Sequence, residues 1–243
     1  MRYSSYTDVH DDGLRRFVSN IFALMCVGLA ITAGIAWWIS HTPGMMESLF
    51  SLTKVIVDGK EKTEMHGSGM WWFVSAIELV IVFFMARGGA ARSLSPGAAL
   101  IMFLVYSAMN GYTMSPVLYA YTDASTVKVF AICAGTFGAC AFFGHTTKIN
   151  LRPLGSFLFI GLIGLLVALV VNIFYHSPAI DFAISAAAVL LFAILTAFDV
   201  QKLTDLYYED PDPTLAIIGS LELYLDFVNM YLHLLRIFGV RKD

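Results

Sequence analysis

The sequence is poor in charged residues. Asp, Glu, Lys and Arg make up 14% of its 243 residues, whereas soluble domains usually contain about 25%. Hydrophobic residues make up 58% and the mean hydropathy is +0.73, which excludes an ordinary soluble domain. The net charge of −3 comes without a basic cluster, so we expect no nucleic-acid partner.

Cysteine is also scarce. Cys26, Cys133 and Cys140 all lie within apolar runs, and Cys133 and Cys140 are spaced to share a helix face. No Cys-x-x-Cys or neighbouring His pattern surrounds them, so we interpret them as small packing residues and not as a metal or redox site. We expect no bound cofactor, and a role for calcium only as a permeant ion.

What the sequence has instead is a series of long apolar runs. Because about 20 apolar residues cross a hydrocarbon core about 30 Å thick, the runs predict an all-α membrane protein. The seven predicted spans are Phe17–Ser40, Met70–Ala86, Pro96–Tyr121, Thr126–Gly144, Leu154–Tyr175, Ile180–Val200 and Thr214–Phe238. We expect one polytopic domain over 1–243, with a polar N-terminal segment at 1–16 and a long polar first loop at 41–69. The N-terminal segment does not resemble a cleavable signal peptide.

Basic residues in the short joints set the expected orientation. They alternate between joints, as the positive-inside rule requires when the N-terminus is cytoplasmic. They lie at Arg2, Arg15, Arg16, Arg87, Arg92, Lys148, Arg152 and Lys202. Seven spans then place the C-terminus outside, although Arg241 and Lys242 argue the other way, as do the three lysines of the long first loop.

Small residues predict where helices approach closely. These glycines are Gly28, Gly34, Gly135, Gly138, Gly161 and Gly164. In the third span, Asn110, Gly111 and Pro116 predict a kink or a hinge.

The last apolar run carries a stripe of polar residues. Successive gaps of four, three, four and three put them on one helix face, and their positions are Glu222, Asp226, Asn229, His233 and Arg236. Glu222 and Arg236 are nearest the ends, where long side chains reach the interface. Asp226 lies mid-span, where an ionised group costs at least about 2.5–3.5 kcal/mol.

Asp199 ends the preceding apolar run and offers Asp226 a partner. Taken alone, Asp199 is best explained as a helix-end carboxylate paired with Lys202 at i, i+3. With Asp226 on the next helix, two carboxylates meeting in a bundle core cannot both ionise freely and share a proton. The pair is then a pH sensor and, when ionised, a candidate calcium site, because calcium prefers oxygen ligands.

Further polar residues extend this hypothesis. Glu78 in the second span is a candidate pore-lining residue, as are Glu222 and Asn229. Arg87 and Arg92 either pair with a buried carboxylate or serve as ordinary cytoplasmic anchors. For His145 and His233 a structural or interfacial role is favoured over titration.

Two segments carry a resemblance to a known family. "LTAFDVQKL" (195–203) and "LELYLDFVNMYLHLLRIFG" (221–239) resemble the signature segments of the Bax inhibitor-1 family of membrane proteins. "LSPGAALIMFLVYSAMNGYTMSPVLYAYT" (94–122) and "GHTTKINL" (144–151) resemble its third span and fourth joint. The resemblance covers nearly the whole chain and is strongest to the bacterial inner-membrane branch.

The resemblance implies six helices around a central C-terminal helix and a pH-sensitive calcium leak. It implies that Asp199 and Asp226 form the sensor, and that an arginine at the cytoplasmic end of the second helix latches it. Both Arg87 and Arg92 lie there; distance from the second span favours Arg87. The long first loop exceeds what the family core leads us to expect.

Two other classes of function compete with the leak. An intramembrane aspartyl protease also uses two aspartates on adjacent helices, but its second aspartate follows Gly-x-Gly, which neither Asp199 nor Asp226 does. We therefore expect no enzyme. The alternative is a non-enzymatic regulator of other membrane proteins, such as a membrane-bound protease. Proton-coupled transport lacks the support of an inverted repeat.

Overall fold

The computed structural model describes residues 3–57, 60–86, 93–175, 177–209 and 212–242, with the backbone alone at 3–11, 52–57, 60–66, 86 and 173. Its helices are α1 (Tyr3–His41), α2 (Met45–Leu49), α3 (Gly69–Ala86), α4 (Pro96–Ala120), α5 (Asp123–Thr146), α6 (Gly155–Tyr175), α7 (Pro178–Glu209) and α8 (Pro213–Phe238). A hairpin of β1 (Phe50–Val57) and β2 (Lys60–Gly67) follows α2, and a 3-10 turn at Arg152–Leu154 precedes α6. The chain is therefore almost entirely helical.

Among the described residues, six helices are long and apolar enough to cross a membrane: α1, α4, α5, α6, α7 and α8. They confirm six of the seven predicted spans. Helix α3 coincides with the remaining one, but it is shorter than the others. The count of seven spans therefore stays a prediction.

Two of these helices start with matching capping chemistry. Before α4, the Ser95 side chain accepts a hydrogen bond from Ala98 N, and Pro96 begins the helix. Before α8, Asp212 accepts from Thr214 N at 2.8 Å, and Pro213 begins the helix. A polar N-cap followed by Pro satisfies one free amide and removes another. The short polar joints thus fix where α4 and α8 begin.

The chain clusters into two compact units: Met1–Met25 with Asp123–Val240, and Cys26–Thr122 with Arg241–Asp243. In the first unit, α8 packs against α7 and α5, and α7 packs against α5 and α6. Helix α8 is the most buried of the six: 67% of its apolar window lies inside the protein, against 11–33% for the others. Most of its apolar residues are buried, as are Asp226 and His233 of its polar stripe, whereas Arg236 at its end is exposed. The arrangement of six helices around it stays a prediction.

The second unit has a core next to the hairpin. Ile39, Met46 and Phe50 are buried together, with Trp71 and Tyr112 packed on them. Trp71 Nε1 donates a hydrogen bond to the Thr113 carbonyl at 3.3 Å. These contacts join the end of α1, the start of α3 and the middle of α4.

The segment 41–69, predicted as a polar loop, contains regular secondary structure. It contains α2 and the antiparallel hairpin, in which Val57 is paired with Lys60 and Phe50 with Gly67. The sequence carried the signal: Asp58-Gly59 between alternating residues is typical of a tight hairpin.

Helix α4 continues through Pro116, so the predicted weak point interrupts no helix. Proline cannot donate to the carbonyl four residues earlier. The Ser115 hydroxyl donates to that carbonyl, Tyr112 O, at 2.8 Å. The freed acceptor is thereby satisfied inside the apolar helix.

Candidate functional site

The antiparallel pair α7 and α8 positions the candidate site. Polar contacts join the two helices towards both ends of the pair. Arg236 lies 3.8 Å from Asp181, and His233 Nδ1 lies 3.4 Å from Ser185 Oγ. Towards the other end, Lys202 binds Glu222. The residues between them are held in register by these contacts.

Asp226 is the buried centre of this region. Asp226 is 5% exposed, and its Oδ2 has no hydrogen-bond partner among the described residues. Asp199, Glu222 and Lys202 are close enough to act electrostatically on it. Because an unpaired carboxylate in an apolar interior is costly, Asp226 is a site for a proton or a cation.

Lys202 is the cation of the cluster. Its ammonium lies 2.9 Å from both carboxylate oxygens of Glu222 and 3.3 Å from Asp199 Oδ1. The i, i+3 pair with Asp199, favoured from the sequence, is therefore present, but the shorter bonds go to Glu222. We call Asp199, Lys202, Glu222 and Asp226 the four-charge cluster.

Asp199 lies within α7, because the helix continues ten residues beyond it to Glu209. The prediction that the helix ends at Val200 is therefore wrong. Asp199 is 9% exposed. Thr196, one turn before it, donates to the Phe192 carbonyl at 2.8 Å. Among the described residues, only Lys202 forms a hydrogen bond or ion pair with the Asp199 carboxylate.

Glu78 belongs to the second unit and is buried. Its Oε1 lies 3.0 Å from Thr113 Oγ1, which is also 3.1 Å from the Asn110 carbonyl. A threonine hydroxyl has one hydrogen. That hydrogen lies within reach of both the Glu78 carboxyl group and the Asn110 carbonyl, so Thr113 connects Glu78 to α4.

The other predicted residues lie elsewhere. Asn229 donates to the Leu225 carbonyl of its own helix at 2.8 Å, and Arg236 is exposed. His145 is exposed, whereas His233 is buried and stacked on Phe192. Both latch candidates, Arg87 and Arg92, lie outside the described residues.

The cysteines stay free thiols in the described part of the chain. Cys133 is buried, with its Sγ 3.6 Å from the Phe227 carbonyl, and Cys26 is exposed. Among the described residues, no group of three or more His, Cys, Asp or Glu side chains is arranged to hold a metal ion. The calcium site at Asp199 and Asp226 therefore stays a prediction.

Comparison with known proteins decides the family. A family model described as Inhibitor of apoptosis-promoting Bax1 matches residues 14–243. The chain belongs to the Bax inhibitor-1 family. This Bax inhibitor-1 family protein is a multi-pass membrane protein, in agreement with its six long apolar helices.

Bacterial relatives match the chain from end to end. It is similar to inner membrane protein YbhL of Escherichia coli (strain K12), at 36% identity over 236 residues, which cover 95% of this chain and 94% of YbhL. It is similar to an uncharacterized protein of Borreliella burgdorferi, at 35% over 233 residues, covering 94% and 93% of the two chains. An uncharacterized membrane protein of Streptococcus pyogenes serotype M6 is 33% identical over 236 residues, covering 96% of each.

Sequence reasoning missed one contact in this Bax inhibitor-1 family member. Glu222 was interpreted as a residue near the helix end, but it lies more than two turns inside α8 and binds Lys202. The signal was its place on the stripe, one turn before Asp226. The sequence pairs Lys202 only with Asp199. In the structure Lys202 also joins α7 to α8 through Glu222.

Proposed function

We propose that this protein is a passive, proton-regulated cation pathway, with calcium as the cation that its oxygen ligands suit best. The observation that carries the proposal is Asp226: a buried carboxylate whose Oδ2 has no hydrogen-bond partner among the described residues, within electrostatic range of two further carboxylates and one ammonium. Ionisable residues inside membrane bundles are expensive and usually serve transport or proton relay.

The chemistry of the cluster favours exchange of protons and cations. A proton and a calcium ion compete for the same carboxylate oxygens. As the pH falls, protons occupy Asp226 and its partner Asp199, and calcium binds less well. Calcium flux is therefore expected to depend on pH.

The remaining residues take supporting roles in this proposal. Arg87 or Arg92 serves as the latch that pairs with the carboxylates when the pathway is closed. Glu78, held by Thr113, and Asn229 are assigned to the wall of the pathway. The central position of α8 in a seven-helix bundle is supported by its burial.

A transport role is favoured over an enzymatic one. An aspartyl protease needs two carboxylates that share a proton and activate one water. Here Asp199 is bonded to Lys202, and a third carboxylate, Glu222, belongs to the same cluster. No cofactor is required for a passive pathway.

We place the protein in a bacterial inner membrane, by analogy with YbhL. The basic residues of the short joints support a cytoplasmic N-terminus. With seven crossings, the C-terminus is extracytoplasmic.

The test is calcium flux into proteoliposomes that contain the full-length protein, measured from pH 6 to pH 8. Asp226→Asn keeps the size of the side chain and removes its titration, so we expect most of the pH dependence to disappear. Asp181→Asn, on α7 but in contact with the exposed Arg236, is the matched control and should keep it.

An unchanged flux–pH curve in Asp226→Asn contradicts the sensor. No flux from the wild-type protein at any pH contradicts the pathway as a whole, and would favour a regulator of other membrane proteins instead.

A further inference from the structure

Lys202 stands where a bound cation would stand. Its Nζ lies 2.9 Å from both Glu222 oxygens and 3.3 Å from Asp199 Oδ1, so three carboxylate oxygens from two helices converge on one positive charge. Its side chain remains 35% exposed. The ammonium is therefore held by charge and also retains a way out towards solvent.

The buried carboxylate of Asp226 gives the four-charge cluster an oxygen that is available to a ligand. Asp226 is fully enclosed and its Oδ2 has no partner in the described part of the chain. A lysine ammonium has three hydrogens, and Lys202 donates hydrogen bonds to Glu222 and Asp199. Asp226 is thus left without a direct ion pair to Lys202, although Lys202 acts on it electrostatically.

Counting charges shows what the cluster can accept. Three ionised carboxylates and one ammonium carry a formal net charge of −2, which one divalent cation or two protons would neutralise. Without the ammonium of Lys202, the formal net charge of the three carboxylates would be −3. Removing its charge leaves three carboxylates with no internal counter-ion, which a divalent cation would then bind more strongly.

We infer that Lys202 is the resident counter-ion of the site: its ammonium occupies the cation position between Glu222 and Asp199, and an incoming divalent cation displaces it towards solvent. This inference rests on the proposed function, since it assigns a positioning role within the same cluster. It explains why a lysine on α7 has two carboxylate partners on two helices.

The first experiment uses the wild-type protein. Acylation of Lys202 by an N-hydroxysuccinimide acetate reagent is quantified by peptide mass spectrometry, with and without calcium chloride. An ion-paired ammonium is protected, so we expect calcium to increase the labelling of Lys202 several-fold. Lys128, which is exposed on α5, is the control and should label equally in both conditions. Potassium chloride at matched ionic strength controls for charge screening.

Labelling of Lys202 that is the same with calcium as with potassium overturns the inference. Because this measurement needs no substitution, it does not depend on whether a variant folds.

The second experiment compares calcium binding to detergent-solubilised full-length variants by calorimetric titration at pH 8. Lys202→Met is expected to bind calcium about tenfold or more tightly than the wild type, because a unit charge a few ångströms away is lost. Lys202→Arg retains the charge and should stay near the wild type. Equal or weaker binding by a folded Lys202→Met overturns the inference. A purely structural lysine would lower the melting temperature without tightening calcium binding.

The two proposals fail in different ways. If the wild-type protein conducts no calcium but calcium still releases Lys202 to the acylating reagent, the pathway fails and the counter-ion role stands. If calcium is conducted and Lys202 labelling does not respond, the pathway stands and the counter-ion role fails.

Discussion

At the scale of single residues, Gly144 lets α5 pack directly on the backbone of α7. A Cβ built on Gly144 would overlap the carbonyl oxygen of Ala197, with the Ala197 Cα at 2.8 Å. Ala197 is two residues before Asp199, so this contact also fixes the backbone that presents Asp199. Backbone atoms cannot move aside as a flexible side chain can, and the glycine is therefore required here.

We predict that Gly144→Ala destabilises the protein by about 1–3 kcal/mol, as overpacking of a close-packed interior does. The matched control is Gly138→Ala on the same helix, where a Cβ meets nothing within 4 Å. There, loss of glycine flexibility should be neutral or stabilising by up to about 1 kcal/mol. Thermal unfolding in detergent measures both. Equal melting temperatures for the two variants would contradict the packing argument.

The same contrast shows what the sequence could not supply. Of the six glycines predicted to mark close contacts, Gly28 meets Phe103 and Ser107, and Gly161 meets Leu191. Among the described residues, a Cβ on Gly34, Gly135, Gly138 or Gly164 would meet nothing within 4 Å, so the close contacts predicted at these four glycines are absent from the described part of the chain. A glycine in an apolar run permits close packing, but the run does not show which face meets a neighbour.

At the scale of elements, α7 is longer than its apolar run. Its 32 residues span about 48 Å, against about 30 Å of hydrocarbon core. The ring of Tyr207 in the extension lies 4.8 Å from that of Phe17 on α1. Except for α1, which begins at Tyr3 and not at the predicted Phe17, hydropathy located the other spans to within a few residues. It could not find this extension, which is polar and amphipathic.

The extension of α7 holds the joint between α5 and α6. Gln201 Oε1 accepts from Leu151 N at 2.7 Å, and Gln201 Nε2 donates to the Ile149 carbonyl at 2.9 Å. Arg152 also binds Asp205 and Glu209, at 2.9 and 2.7 Å, but these ion pairs are exposed. Exposed ion pairs contribute little to stability. The buried amide of Leu151 depends on Gln201 as its acceptor, and losing a buried hydrogen bond is costly.

We therefore predict that Gln201→Leu destabilises the joint by about 1–3 kcal/mol, because it leaves the Leu151 amide unsatisfied. Arg152→Ala should have little effect on stability, because its ion pairs are exposed. Hydrogen exchange of residues 147–154 measures the difference, and exchange should accelerate clearly in Gln201→Leu alone. Faster exchange in Arg152→Ala than in Gln201→Leu would show that the ion pairs hold the joint.

At the scale of the whole molecule, the sequence predicted the family, the helical class and seven spans, of which six are confirmed. It also predicted that Asp199 and Asp226 belong to one region, because consecutive antiparallel helices bring their carboxylates together. It did not predict that Lys202 binds Glu222 more closely than Asp199, since side-chain pairing across helices depends on rotation about the helix axes. The pattern on one helix leaves that rotation open.

Whether the two termini lie on the same side of the membrane depends on helix α3. Helix α3 has 18 residues, or about 27 Å, close to the thickness of a hydrocarbon core. If α3 crosses the membrane together with the six longer helices, the number of crossings is odd and the termini lie on opposite sides. If α3 does not cross, the number is even and they lie on the same side.

We predict opposite sides, with the N-terminus in the cytoplasm, because basic residues alternate between the joints as seven crossings require. The test fuses reporters to the full-length chain. A green fluorescent protein, which folds only in the cytoplasm, should fluoresce at the N-terminus and stay dark at the C-terminus. Alkaline phosphatase, which is active only outside the cytoplasm, should be active at the C-terminus. A fluorescent C-terminal fusion with inactive phosphatase would mean that α3 does not cross, and the bundle would then have six spanning helices.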